Sequence, residues 1–107
     1  MVINGYAQEQ IDKVTSNNSL EFSSMEKMAT NKYKLEVIFS NVTGKEDMNN
    51  IIHVVKSIHG VESIELFYPT TNNGIIILSE VIMPSDLIEK LNSINIQLDP
   101  KSLKQQY

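Results

Sequence analysis

Residues 34–98 read KLEVIFSNVTGKEDMNNIIHVVKSIHGVESIELFYPTTNNGIIILSEVIMPSDLIEKLNSINIQL. Along this stretch the apolar spacing is two, then three and four, then two, and the cycle repeats. A period of two marks a half-buried strand and a period of three and four marks an amphipathic helix. The order is therefore strand, helix, strand, strand, helix, strand. With short connections and right-handed crossovers, that order favours an α+β ferredoxin-like plait, a βαββαβ chain in which a four-stranded antiparallel sheet carries two helices on one face.

Individual residues set the expected elements. Leu35, Val37 and Phe39 share one face of the first strand. Met48, Ile51, Ile52, Val55 and Ile58 line one side of a helix over residues 47–58, and Gly60 offers the left-handed stop. Ile64, Leu66 and Tyr68 alternate in a second strand that Pro69 ends, and Asn72-Asn73-Gly74 tolerates the positive φ of a hairpin turn. Ile75-Ile76-Ile77-Leu78 is apolar on both faces, as in a central strand. Pro84 near a helix start, Asp86 and Glu89 in its early turns and Leu87, Ile88, Leu91 and Ile94 on one side define the second helix. Asn95 closes it, and Ile96 and Leu98 form a short last strand before Pro100.

Residues 1–32 have a different texture and divide from residues 33–107 as an N-terminal extension, either flexible or docked on the sheet. Ala7, Ile11 and Val14 suit one side of a short helix, and Leu20, Phe22, Met25 and Met28 are more apolar than a spacer requires.

Composition narrows the chemistry. A chain of 107 residues with 41% hydrophobic and 21% charged residues has the make-up of one folded domain. The net charge of −4 arises from 13 acidic and 9 basic residues, all nine of them lysine. An acidic surface without the planar fork of arginine argues against nucleic acid as a partner. Cysteine is absent, which removes disulfides, thiolate metal sites and cysteine nucleophiles together. Met1-Val2-Ile3-Asn4-Gly5 lacks a basic segment followed by an apolar one, and no apolar run has the ~18 residues of a membrane span, so a cytoplasmic location is expected.

The junction Ile58-His59-Gly60-Val61-Glu62-Ser63-Ile64 resembles the "pGV-x-x-V" link between first helix and second strand in the heavy-metal-associated domains of copper chaperones and metal-transporting ATPases. Ile51 and Val55 fall where that family has apolar helix positions, and the similarity spans residues 35–98. The resemblance implies the ferredoxin-like fold. Counting back from Gly60, the family's two metal-binding cysteines would fall at Gly44 and Asp47, and soft Cu(I) needs sulfur ligands. No metal or other cofactor is therefore expected. His53 and His59 lie six apart, on different faces of the helix, and make no paired ligand set.

Catalytic patterns are equally lacking. Acylphosphatases share the plait but rely on a catalytic arginine. No strained G-x-S-x-G turn and no glycine-rich phosphate loop occur with only four glycines. Glu62 with Glu65, and Asp86 with Glu89, read as solvated carboxylates. What remains is surface. A plait leaves one sheet face bare, and here the residues off the helix face include Ile38, Val42, Phe67 and one half of the 75–78 run. The expectation is a non-catalytic protein–protein interaction module that self-associates through Ile38, Phe67 and Ile76 on the open face or through an edge strand. Phe22 and Met25 are the competing intramolecular cover. The alternative is a small-ligand-binding regulatory domain resembling ACT domains, with the ligand between the 41–47 loop and a neighbouring subunit. A degenerate metal-chaperone-like domain is the third reading.

Overall fold

The computed structural model describes residues 20–105. Its elements are β1 (Leu20–Phe22), β2 (Met25–Lys27), β3 (Tyr33–Ile38), α1 (Lys45–Lys56), β4 (Val61–Leu66), β5 (Asn73–Leu78), α2 (Pro84–Asn92), a 3-10 turn (Pro100–Ser102) and β6 (Leu103–Gln105). The four-stranded sheet has the order β2-β3-β5-β4 and is antiparallel throughout. A separate pair joins β1 to β6. Two helices on an antiparallel sheet, with β3, β4 and β5 in the order and pairing of the first three plait strands, make the fold ferredoxin-like.

Both helices begin where local chemistry favours them. Asp47 reaches back from the first turn of α1 and accepts hydrogen bonds from Thr43 N at 2.9 Å and Thr43 Oγ1 at 2.8 Å. Pro84 opens α2 with its φ already set, and Asp86 accepts from Met83 N at 3.0 Å. Glu46 and Asp47 lie at the positive end of α1, and His53 and Lys56 at its negative end. Ile51 and Val55, with Leu87 and Leu91, then place fully buried side chains against Leu35, Val37, Phe39, Ile76 and Leu78 of the sheet. Each such side chain contributes about 1.5–3 kcal/mol on leaving water, so this single layer dominates stability.

The fourth strand position is filled differently from the sequence expectation. Residues 96–98 form no strand: Leu98 makes one isolated bridge to Phe39, Ser40 N donates to Gln97 O at 2.9 Å, and Asp99 N donates to Ile38 O at 2.8 Å. Pro100 then turns the chain into the 3-10 turn, because it has no N–H to continue a ladder. The other half of the β3 edge is taken by β2, with Met25 opposite Leu35 and Lys27 opposite Tyr33. A tight return at residues 28–32, with Asn31 at φ 65°, brings β2 alongside β3. Thus residues 20–32, grouped by sequence with the extension, supply β1 and β2. The earlier part of that segment lies outside the described residues.

Gly74 also differs. It does not turn the hairpin; it is buried inside β5, opposite Val37 on one side and Leu66 on the other. A Cβ there would stand 2.9 Å from Phe39 Cε2 and from Leu66 Cδ2, so the close approach of those two side chains requires glycine. Gly60 has the expected positive φ, at 100°, but it does not stop the helix: α1 ends at Lys56 with Ser57 in the right-handed region, and Gly60 turns the chain into β4, where Val61 N donates to Ile58 O at 3.1 Å.

Candidate interaction surface

Register assigns each strand residue to a face. Residues opposite each other in antiparallel strands point the same way, and neighbours along a strand point opposite ways. Leu35 pairs with Ile76, and Ile76 with Ile64, giving one row on the helix side. The intervening rows face away: Glu36, Ile75 and Glu65 in one, and Lys34, Ile77 and Ser63 in the next with Glu26 at its edge. Ile38 pairs with Asn73, and Phe67 N donates to Asn73 O at 3.2 Å, so Ile38 and Phe67 flank Asn73 in a third row. The outer face therefore has a central apolar strip, Ile75 and Ile77, extended by Ile38 and Phe67 and bordered by Glu26, Lys34, Glu36 and Glu65. All four apolar residues are half-buried.

Of the five residues nominated from sequence, Ile38 and Phe67 occupy this face and three do not. Ile76 is 0% exposed and belongs to the helix-side core. Its neighbours Ile75 and Ile77 hold the outward positions instead. Four consecutive apolar residues carry no period, so only the pairing with β3 distinguishes the two halves of the run. Phe22 joins the core cluster, and Met25, aligned with Leu35, packs against it from the edge strand, so neither covers the open face. Val42 likewise packs against the helix-side core.

The 41–47 loop, where the heavy-metal-associated family carries its cysteines, is held by hydrogen bonds of its own. Asn41 Nδ2 donates to Asn95 O at 2.8 Å, and Asn41 Oδ1 accepts from Gln97 N at 2.9 Å. Gly44 caps α1 in an extended conformation with no side chain to offer. The two Thr43 donors, the backbone N–H foremost, hold the Asp47 carboxyl below its ordinary range. This loop offers oxygen ligands, the Glu46 and Asp47 carboxylates among them, and no sulfur.

His53 lies exposed in α1, and His59 is exposed at the start of a shallow groove of about 390 Å³ bordered by Glu80, Asp86, Glu89 and Lys90. His59 Nε2 stands 3.1 Å from Glu80 Oε2. Among the described residues no group of three or more histidines, cysteines or carboxylates is placed to hold a metal ion. None of their helices is long and apolar enough to cross a membrane.

No protein-family model matches this chain, and neither does any curated protein sequence. Solved structures do. A candidate copper-ion-binding protein from Bacillus anthracis superimposes with a TM-score of 0.56 at 16% identity, over 64% of this chain and 96% of that one. The N-terminal domain of a potential copper-translocating P-type ATPase from Bacillus subtilis, in its Cu(I)-loaded state, gives a TM-score of 0.56 at 19% identity, over 66% and 89% of the two chains. These likenesses agree with the heavy-metal-associated resemblance of the 58–64 junction at the level of fold.

Proposed function

We propose that the protein is a non-catalytic interaction module of the cytoplasm that self-associates through the open face of its sheet. The observation that supports this reading is the apolar strip Ile38, Phe67, Ile75 and Ile77 on the face opposite both helices. Packing two such faces against each other buries the strip in the manner of a two-sheet core. Lys34 and Glu36 on one side of the strip and Glu65 on the other supply both signs of charge for the rim, where a two-fold arrangement brings unlike charges together. The copper binding named for the two structural neighbours is not carried over, because Gly44 and Asp47 cannot provide the thiolates that Cu(I) requires.

The decisive experiment is the absolute mass of the full chain by light scattering, with and without Phe67→Glu. A dimer or larger assembly that becomes a monomer on placing a carboxylate in the strip supports the reading. A mass unchanged by that substitution removes the open face from the assembly.

A further inference from the structure

The outward charges of β3 are arranged so that a second copy of the same strand can satisfy them. Lys34 and Glu36 stand one row apart on the open face, Lys34 level with Ile77 and Glu36 level with Ile75. Across the strip, Ser63 is level with Ile77 and Glu65 with Ile75. The ion pairs among the described residues join Lys32 to Glu62, His59 to Glu80 and Lys104 to Glu21, so Lys34 and Glu36 take part in none of them. A cation and an anion one row apart on one strand match that same strand turned end to end.

We infer, resting on the self-association proposed above, that its two-fold axis runs across the strands at the level of the Leu35, Ile76 and Ile64 row, and that Lys34 of each copy pairs with Glu36 of the other. A two-fold interface is self-complementary: where one residue meets a second, the second also meets the first. Two sheets stacked with aligned strands can be related by an axis along the strands or across them. An axis along β5 lays β3 of one copy over β4 of the other. Ile38 then meets Phe67, but Glu36 meets Glu65 twice and Lys34 meets only Ser63, so carboxylates repel as the faces close. An axis across the strands keeps β3 over β3 and reverses its direction. Lys34 meets Glu36 at two equivalent places, Ile75 meets Ile77 at two more, and Glu65 meets the Ser63 hydroxyl. Glu36 and Glu65 each gain a donor in this second arrangement, and the centre of the apolar strip is covered by its own counterpart.

The test is sedentation equilibrium of the full chain, of Lys34→Glu, of Glu36→Lys, and of the two variants mixed in equal amounts. Each variant alone sets like charges against each other at both places, so each is expected to dimerise at least about tenfold more weakly than the parent. The mixture sets two carboxylates against two ammonium groups, and is expected to recover the parent's mass as a dimer of unlike chains. Recovery in the mixture also shows that both variants are folded. Glu36→Lys that strengthens the dimer overturns the inference, because it would relieve the Glu36 and Glu65 contact of the axis along the strands. Masses unchanged in both variants, or no recovery on mixing, overturn it as well. If Phe67→Glu still dissociates the parent in those cases, the open face remains the interface and only the placement of the axis falls. A parent chain that is a monomer at every concentration overturns both readings together.

Discussion

The hydroxyl of Ser102 engages both backbone groups of Ile38: Ile38 N donates to Ser102 Oγ at 2.7 Å, and Oγ donates to Ile38 O at 3.2 Å. Ser102 is 3% exposed, the only buried polar residue of the described chain. Its side chain substitutes for a strand partner at the point where residues 97–99 leave the β3 edge and β2 does not reach. Ser102→Ala leaves the Ile38 N–H without a partner and is expected to cost about 1–3 kcal/mol in urea denaturation. A loss indistinguishable from zero would mean that water enters the site and replaces the hydroxyl.

Gly74→Ala tests the close packing inside β5. The added methyl meets Phe39 Cε2 and Leu66 Cδ2 at 2.9 Å, and Phe39 is too deeply buried to swing away. The expected cost is about 1–3 kcal/mol. Leu66→Ala makes room for the methyl, so the double variant should be more stable than the two separate losses summed, which a double-mutant cycle measures directly.

The pH dependence of Asp47 has a definite sign. Thr43 holds its folded pKa below the unfolded value of about 3.9, so the contribution is present above that value and is lost as pH falls through the folded pKa. Asp47→Asn should therefore be less stable than the parent at neutral pH, and the two stability curves should converge in acid. Parallel curves down to the acid transition would show that Thr43 does not distinguish the ionised carboxylate.

Ile75 and Ile76 differ by one residue and by a whole sheet face. Ile76→Ala opens a cavity in the core and should cost about 2–5 kcal/mol, whereas Ile75→Ala removes a half-buried side chain and should cost markedly less in dilute solution. Thermal denaturation of the two variants side by side checks the register. Equal losses would contradict the assignment of faces.

The alternation of Leu35, Val37 and Phe39, the helical spacing of Ile51 with Val55 and of Leu87 with Leu91, and the positive φ of Gly60 were all legible in the sequence. In each case the period of the local structure coincides with the period of burial. The missed features depend on distant partners. Met25–Lys27 is three residues long and shows no usable alternation; it is a strand because the return at Asn31 lays it against β3. Half of the proposed surface, Ile38 and Phe67, could be found by alternation, but Ile75 and Ile77 could not be separated from Ile76 within an uninterrupted apolar run.

The amino-acid sequence by itself therefore determined the class of fold, the two helices with their inward sides, and the lack of thiolate ligands at Gly44 and Asp47, since these depend on residue type and on spacing within one element. Tertiary structure alone decided which chain segment completes the sheet edge, which half of the 75–78 run faces outward, and why residue 74 must be glycine. Each of those depends on strand register and on atoms far away in the chain, and register is a property of paired strands that no single strand contains.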